Sequence, residues 1–188
     1  MTAYPELLIL RHGETEWNRS GRLQGELDSH LTDTGRDQAQ CQGRILKDVG
    51  ISGWAVYCSP QGRAAETAAL ALPELPVVSD ARLREIGLGE WSGQLREDLA
   101  AQFPELFAGD GLEWYDHAPG GEGIAALESR AASFLSELNG PSVIVTHGIT
   151  SRVLRCLLVG LPAESFGTVG GGQGVVYHLR DGRSRLLT

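Results

Sequence analysis

The chain has 188 residues, of which 41% are hydrophobic and 21% are charged. This length suits one domain, and the composition is that of a folded globular protein rather than a disordered one. Because 24 acidic residues outnumber 16 basic ones and the formal net charge is −8, we expect neither nucleic acid nor an anionic membrane surface as a partner.

The cysteines favour a reducing compartment. Cys41, Cys58 and Cys156 are odd in number, far apart and without a Cys-x-x-Cys pair, which favours free thiols over a disulfide framework. The apolar run at residues 7–10 is too short for a signal peptide or a membrane span. We therefore expect a cytoplasmic protein.

The first fifty residues predict a strand, a loop and a helix. The continuous apolar run at residues 7–10 is typical of a strand that is covered on both faces. The polar stretch at residues 19–33 predicts a loop. Thr32 or Thr34 can cap the helix that follows, and the apolar spacing carries this helix to about Val49.

The following segment repeats this alternation. Residues 54–58 predict a second strand, and residues 76–78 predict a short third strand. Between them, Ser59 and Pro60 predict the N-cap and the first residue of a helix that runs to about Leu72.

The middle of the chain predicts a long loop before regular structure resumes. Residues 80–94 are rich in glycine and predict a loop, and residues 95–108 predict one or two short helices. An apolar stripe over residues 124–138 predicts a longer helix. A strand at residues 142–146 and a helix at residues 149–159 follow.

The C-terminal residues predict a hairpin. Two short apolar runs at residues 175–179 and 185–187 flank an Asp-Gly turn. Strands that alternate with helices predict a single α/β domain over residues 1–188, with a mostly parallel central sheet and an antiparallel strand at one edge. The free edge of the hairpin is a place where a homodimer would pair.

Histidines and an arginine lie where the predicted strands end. His12 follows the first strand, His147 follows the strand at residues 142–146, and Arg63 lies near the start of the helix after the second strand. The carboxyl ends of parallel strands meet at one edge of a sheet, where ligands bind. Arginine beside a helix N-terminus attracts anions. The sequence therefore predicts an oxyanion site, with a phosphoryl group as the first candidate.

Five motifs, in chain order, resemble the signature of the histidine phosphatase superfamily, which includes cofactor-dependent phosphoglycerate mutase. The motifs are RHGETEWN at 11–18, RLQG with LTDTGR at 22–36, SPQGRAAETA at 59–68, LREIG with GEWSG at 83–93, and THG at 146–148. The resemblance runs from about residue 7 to 158. It implies a phosphoglycerate mutase-like, three-layer α/β/α fold.

The resemblance also implies roles for single residues. His12 would be the nucleophile that carries the phosphoryl group, while Arg11, Arg63 and His147 would hold its oxygens. Glu85 would protonate the leaving oxygen and then take a proton from the attacking water. Further substrate contacts are implied for Asn18, Thr15, Gln24, Gly25 and Gly148.

Other carboxylates and histidines compete for these roles. The motif position favours Glu85 as the acid over four other glutamates that are near in sequence or in predicted loops: Glu14, Glu16, Glu90 and Glu122. The remaining histidines, His30, His117 and His178, are interpreted as structural or solvated. Zinc is the rival explanation for paired histidines, but no His-x-His, His-Glu-x-x-His or cysteine spacing supports it. We therefore expect no metal and no cofactor.

Two segments depart from the pattern of the superfamily. Gln61 and Gly62 follow the Ser-Pro pair, where members usually carry a bulky apolar residue, and we expect an altered start of the helix that carries Arg63. The run GGGQG at residues 170–174 lacks the Lys-Ser/Thr of a phosphate-binding P-loop and predicts a flexible loop.

The segment at residues 92–122, which we call the covering segment, helps to decide whether the protein is a phosphatase or a mutase. It holds one basic residue, Arg96, against seven acidic ones, and this balance would repel a bisphosphorylated acid. Its aromatic residues either line the site for an uncharged organic group or pack the short helices onto the domain, and the sequence favours neither: Phe103, Phe107, Trp114 and Tyr115.

We therefore predict a metal-independent phosphomonoester phosphatase of the histidine acid phosphatase type, acting on a small organic monophosphate through a phosphohistidine. The nearest alternative is a cofactor-dependent phosphoglycerate mutase. A narrower alternative is a phosphatase for a sugar bisphosphate or α-ribazole phosphate. A third, from a different class, is a phosphate-binding module without catalysis.

Overall fold

The computed structural model describes residues 4–109 and 111–188, so Asp110 of the covering segment lies outside it. The described strands are β1 (Leu7–Arg11), β2 (Ala55–Cys58), β3 (Val78–Ser79), β4 (Ser142–Thr146), β5 (Val176–Arg180) and β6 (Arg183–Leu187). The helices are α1 (Glu16–Arg19), α2 (Asp33–Val49), α3 (Gly62–Ala71), α4 (Arg96–Gln102), α5 (Ile124–Ser136) and α6 (Gly148–Val159). Short 3-10 helices lie at Ala81–Leu83, Gly89–Trp91, Glu113–His117 and Ala163–Gly167.

The strands form one sheet in the order β3-β2-β4-β1-β5-β6. Pairing is parallel from β3 to β1 and antiparallel for β5 and β6. β4 lies between β1 and β2, with Val145 opposite both Leu10 and Cys58. The carboxyl ends of these three strands are therefore adjacent, which confirms the predicted mostly parallel sheet with its antiparallel edge.

Alternate side chains of β1 point into two separate cores. Leu8 and Leu10 pack with residues of α2 and α3, whereas Leu7 and Ile9 pack with residues of α5 and α6. All four are fully buried, and each such side chain contributes about 2 kcal/mol through removal from water. Helices on both faces of the sheet make the predicted three-layer α/β/α architecture.

Helix α2 begins and ends as the sequence indicates. Of the two candidate caps, Thr32 is the one used, and its hydroxyl accepts a hydrogen bond from the backbone N–H of Gly35. The helix ends at Gly50, whose φ of 81° is left-handed and costs glycine little.

The predicted start of α3 is wrong by two residues. Gln61, not Ser59, is the N-cap, and the helix begins at Gly62 rather than at Pro60. The free N–H groups of Gly62 and Arg63 donate to the carboxylate of Asp28 in a distant loop. This carboxylate caps the helix from outside, so the Ser59 hydroxyl contacts His147 instead.

The other segments follow the prediction closely. The polar loop at residues 19–33 is present and is tied down by bridges from Thr15 to Leu31 and from Arg22 to Leu95. The segment predicted as a loop at residues 80–94 contains two 3-10 helices. Within the described ranges, no helix is long and apolar enough to cross a lipid bilayer.

Candidate active site

A small cavity of about 60 Å³ lies beyond the carboxyl ends of the central strands. Most of the residues predicted for the site line it: Arg11, His12, Asn18, Gln24, Gly25, Arg63 and Glu85. His147 lies beside them, with its ring centroid 5.2 Å from that of His12. Three further lining residues were not predicted for the site: Arg22, Leu23 and Leu88. Tyr115, for which the sequence favoured neither lining nor packing, also lines the cavity.

The hydrogen bonds of His12 fix which ring nitrogen is free to attack. Nδ1 lies 2.8 Å from the carbonyl oxygen of Gly13, which only accepts, so Nδ1 carries the proton. Nε2 then holds a lone pair, and the Nε–H of Arg63 donates to it at 3.3 Å. His12 is therefore held as a neutral imidazole with its nucleophilic nitrogen at the cavity.

Burial lowers the pKa of His12 well below its usual value, and the nearby charges of Arg11 and Arg63 lower it further. Only 2% of the residue is exposed. The hydrogen bond to Gly13 opposes this shift without reversing it. The neutral form, which is the form that can attack phosphorus, therefore persists under mildly acidic conditions.

Arg63 is fixed on several sides. Its Nη1 donates to Asp28 Oδ1 at 2.9 Å and to the carbonyl of Leu27 at 2.7 Å, and its Nη2 donates to the carbonyl of Gly25 at 3.0 Å. The guanidinium is almost fully buried. These contacts hold its charge beside His12 before any ligand binds, which is the preorganisation that electrostatic catalysis needs.

Two buried polar atoms near His12 have no partner among the described residues: Nε of Arg11 and Nδ1 of His147. The hydroxyl of Ser59 accepts from the N–H of Gln61 and contacts Nε2 of His147 at 2.7 Å. The Ser59 hydroxyl is buried and has no acceptor among the described residues other than Nε2, so we assign its proton to that contact, which leaves the imidazole proton on Nδ1. Burial, followed by the charge of Arg63, lowers the pKa of His147. Both unpartnered atoms are therefore donors, and they suit an anion.

Glu85 is anchored at the N-terminus of α6. Its Oε1 accepts from the backbone N–H of Thr150 at 3.1 Å, and its Oε2 accepts from that of Ile149 at 3.2 Å. A Cβ added to Gly148 would lie 3.4 Å from Arg11 and 3.5 Å from Glu85. These are ordinary van der Waals distances, so Gly148 lies beside both Glu85 and Arg11 at this turn without the site requiring a glycine there.

Three of the four competing carboxylates have structural partners, and the fourth, Glu90, is exposed. Glu14 accepts from the hydroxyl of Thr32 at 2.8 Å, and Glu122 pairs with Arg130 at 2.5 Å. Glu16 pairs with Arg19 on the surface. His178, which was interpreted as structural, pairs with a glutamate near the N-terminus. Of the glutamates considered for the acid, Glu85 is the one that lines the cavity.

The side chain of Asn18 is oriented by two donors. Its Oδ1 accepts from the N–H of Thr15 at 3.2 Å and from Nε2 of Gln173 at 3.1 Å, so its Nδ2 is left as the donor at the cavity. The Thr15 hydroxyl accepts from the N–H of Asn18 and caps α1, and Thr15 does not line the cavity. Gln173 also donates to the carbonyl of His12. It belongs to the glycine run that was interpreted as a flexible loop.

The loop that carries the nucleophile lies directly against the first turn of α2. A Cβ added to Gly13 would lie 2.1 Å from the carbonyl oxygen of Gly35, and one added to Gly35 would lie 2.0 Å from that of Glu14. No side chain fits either position, because backbone occupies the space. The N–H of Gly13 also donates to the hydroxyl of Thr67.

The structure distinguishes among the aromatic residues of the covering segment. Phe107 and Trp114 are buried and stack at 4.9 Å between ring centroids, and Phe107 also packs on Trp91. Phe103 also packs on Trp91, with part of its surface exposed. Only Tyr115 among the aromatics of the described covering segment reaches the cavity. The packing interpretation therefore holds for three of the four.

Two lining residues that the sequence reasoning did not assign to the site had local signals. Arg22 lies within a quoted motif, and in the described part of the chain its guanidinium forms no ion pair with a carboxylate. It stacks over Trp17 at 5.6 Å. Tyr115 follows the buried Trp114 and is half-buried, and burial followed by the charge of Glu85 raises its pKa to about 12. Its hydroxyl therefore keeps its proton and can donate.

No three histidine, cysteine, aspartate or glutamate side chains gather in residues 4–109 and 111–188 in a way that could hold a metal ion. A larger cavity of about 490 Å³ lies between the C-terminal end of α6 and the turn from β5 to β6. It is far from the histidines at the carboxyl ends of the central strands. The chemistry of the side chains, rather than cavity size, therefore places the candidate site.

Comparison with known proteins shows the family of this chain. The family model for the histidine phosphatase superfamily (branch 1) matches residues 7–186. Phosphoserine phosphatase 1 of Hydrogenobacter thermophilus is 32% identical, over 97% of this chain and 90% of that protein.

Two solved structures have the same fold. That of a mycobacterial glucosyl-3-phosphoglycerate phosphatase superposes with a TM-score of 0.82 at 31% identity, covering 97% of each chain. That of the α-ribazole phosphatase from Shigella flexneri superposes with a TM-score of 0.79 at 30% identity, covering 97% of this chain and 94% of that one. A phosphoglycerate mutase-like fold is thereby confirmed.

Proposed function

This chain belongs to the histidine phosphatase superfamily (branch 1), and we propose that it hydrolyses small organic phosphomonoesters through a phosphohistidine at His12, without a metal. One observation carries the proposal. The lone pair of His12 Nε2 lies at a cavity beside the fixed charge of Arg63 and the buried, unpartnered donors of Arg11 and His147. These donors suit the spread negative charge of a phosphoryl group in its transition state.

In the first step, Nε2 of His12 attacks phosphorus and forms a P–N bond. The P–O bond to the leaving group breaks, and its electron pair goes to the leaving oxygen, which takes a proton from Glu85. Arg11, Arg63 and His147 stabilise the charge on the other oxygens. An acid is needed because an alkoxide is a poor leaving group.

In the second step, water attacks phosphorus while Glu85 takes one of its protons. The P–N bond breaks, and its electron pair returns to Nε2 of His12. Inorganic phosphate leaves, and the imidazole and the carboxylic acid are restored. The two steps replace one difficult displacement by two easier ones.

The lining of the cavity supports a leaving group with a polar or anionic part. Arg22 contributes a cation without a carboxylate partner in the described ranges, and Tyr115 contributes a hydroxyl. The uncharged leaving group suggested by an aromatic cover is thus not favoured, because most of those rings pack on one another. The small cavity supports a small substrate.

We also propose that the enzyme is active at mildly acidic pH, in the manner of histidine acid phosphatases, since the lowered pKa of His12 keeps the nucleophile neutral there.

The free thiols of the three cysteines support a reducing, cytoplasmic setting. The edge strand β6, where Leu186 is half exposed, is the proposed pairing edge of a homodimer. The small phosphomonoester remains the main proposed partner.

The test compares wild type with His12→Ala on a panel of monophosphates that includes 2- and 3-phosphoglycerate, with excess EDTA. We expect phosphate release that resists EDTA and falls at least about 10⁴-fold in the variant. Isomer exchange without release would move the assignment to mutase. A folded protein that binds phosphate equally well with and without His12 and turns over nothing would be a binding module.

A further inference from the structure

Gln61 is a buried polar side chain at a position where the superfamily usually carries an apolar one. Only 9% of it is exposed. It is the N-cap of α3, yet its side chain does not cap that helix. Its amide instead reaches two other segments of the site.

Both ends of the amide are used. Oε1 accepts from the backbone N–H of Glu85 at 2.7 Å, and Nε2 donates to the carbonyl of Gly25 at 2.9 Å. That same carbonyl accepts from Nη2 of Arg63 at 3.0 Å, and Nε of Arg63 donates to His12. A continuous chain of hydrogen bonds therefore joins the nucleophile to the backbone of the acid.

We propose that Gln61 is a positioning residue that sets Glu85 relative to the leaving oxygen, a role that rests on the proposed function. The carboxylate of Glu85 is held by α6 and by the N–H of Ile86. Its backbone N–H is held by Gln61 at 2.7 Å, and its carbonyl accepts a longer hydrogen bond from Arg130 at 3.3 Å. Without Gln61, the backbone of Glu85 keeps the longer contact from Arg130 but loses the partner of its N–H, and the carboxylate can then shift about its contacts with α6. A displacement of about 1 Å can reduce catalysis about 10²-fold.

No other described group replaces this tether. In the described structure the N–H of Glu85 has Gln61 as its hydrogen-bond partner, whereas the carbonyl of Gly25 keeps Arg63 when Gln61 is lost. Loss of the amide therefore disturbs the acid more than the nucleophile. This difference separates a positioning role from general support of the fold.

The experiment compares two substrates that differ in their need for an acid. An alkyl phosphate such as 2-glycerol phosphate leaves as a poor alkoxide, whereas 4-nitrophenyl phosphate leaves as a stable phenolate that needs little protonation. For Gln61→Met, which keeps length and removes both hydrogen bonds, we expect kcat/KM to fall about tenfold or more with the alkyl phosphate and less than about threefold with the aryl phosphate. Inhibition by inorganic phosphate should stay within about twofold.

The matched control is Gln42→Met. Gln42 is a buried glutamine of α2, and its amide donates to the carbonyls of Arg11 and Val175. Gln42→Met removes these hydrogen bonds and changes no contact of Glu85. Any loss of activity should therefore be equal for the two substrates. Equal losses in Gln61→Met, or none, would overturn the proposal.

A double-mutant cycle with Glu85→Gln completes the test. If Gln61 acts through Glu85, Gln61→Met should have almost no further effect in the Glu85→Gln background. Full additivity would contradict the proposal. Gln61→Asn, which keeps the amide but cannot span both partners, replaces Gln61→Met if the latter does not fold. Wild type without turnover, or His12→Ala with turnover, would instead count against the proposed function.

Discussion

The two sides of the active site are built in different ways. Arg11, His12, Arg63 and His147, which we call the phosphate wall, lie at the ends of adjacent strands and at the start of a helix. His12, Arg63 and His147 are each at most 2% exposed. The covering segment opposite has one short α-helix and one 3-10 helix among its described residues, and Tyr115 is its aromatic contact with the cavity.

This difference suggests that the phosphate wall carries out phosphoryl transfer, whereas the covering segment determines which substrates are accepted. The sheet and both of its cores hold the phosphate wall, so its geometry is as stable as the fold itself. The covering segment depends on a few stacked rings. Segments of this kind vary and change substrate preference without altering the scaffold. Variants on the two sides should therefore differ in what they impair.

The largest expected effect tests the acid that faces the phosphate wall. Glu85→Gln should lower kcat/KM for an alkyl phosphate by about 10² to 10³-fold, and for 4-nitrophenyl phosphate by less than about tenfold, since only the first needs a proton. Steady-state kinetics with both substrates measure this. Equal losses would assign the acid to another group.

A ring of the covering segment should matter for stability instead. Phe107→Ala removes a buried ring that contacts both Trp91 and Trp114, and we expect the free energy of unfolding to fall by about 3 kcal/mol. Urea denaturation measures it. At urea concentrations below the unfolding transition, kcat for the smallest substrates should change less than about threefold. A selective loss of kcat in a fully folded variant would give this ring a direct role.

The phosphate wall should make stability depend on pH. Because the pKa of His12 is lowered in the folded state, the unfolded state binds more protons below pH 6.5, and stability falls as pH drops through that value towards the folded pKa. Between pH 7 and pH 5, His12 should lower the free energy of unfolding by up to about 2 kcal/mol. Urea denaturation at a series of pH values measures this dependence. His12→Asn should reduce the change in the free energy of unfolding by that amount, whereas Tyr115→Phe should leave it unchanged.

A smaller effect should follow from the loop that supports the phosphate wall. Gln173→Ala removes one of the two donors that orient the amide of Asn18 and leaves the N–H of Thr15 as the other. We expect kcat/KM to fall up to about tenfold with every substrate alike, because the phosphoryl group itself is affected. Gln94→Ala, an exposed glutamine that contacts the carbonyl of Glu90, is the control. A loss confined to one substrate would place Gln173 in leaving-group recognition.

The smallest effect should come from the cover. Tyr115→Phe removes one hydroxyl, and we expect kcat/KM to change about threefold for leaving groups with a carboxylate or hydroxyl near the phosphate, and hardly at all for 4-nitrophenyl phosphate. The melting temperature should not move. A uniform change across substrates would show that Tyr115 acts on phosphoryl transfer itself.

The sequence predicted the phosphate wall because strand ends and helix starts have local signals. His12 and His147 each come two residues after an apolar run, and that placement puts both at the same edge of a parallel sheet. The start of α3 was predicted wrongly because its cap, Asp28, comes from a distant loop. Local patterns do not show a partner that only the fold brings near.

The supporting contacts were missed for the same reason. Gln61 contacts Glu85 and Gln173 contacts Asn18, pairs that are 24 and 155 residues apart in the chain. For the cover, the sequence could not assign single rings. Trp114 and Tyr115 are neighbours in sequence, yet one is buried in packing and the other faces the cavity.

The contact between Gly13 and Gly35 bears on how this protein acquires its activity as it folds. The loop that presents the nucleophile is shaped by backbone of α2 rather than by its own side chains. The loop after β1 and the first turn of α2 can take their final conformations only against each other. His12 should therefore reach its reactive position in the same cooperative step in which the domain folds. A partly folded chain would have the same sequence and no competent histidine. Phosphatase activity should therefore return during refolding together with the tertiary structure, and not before it.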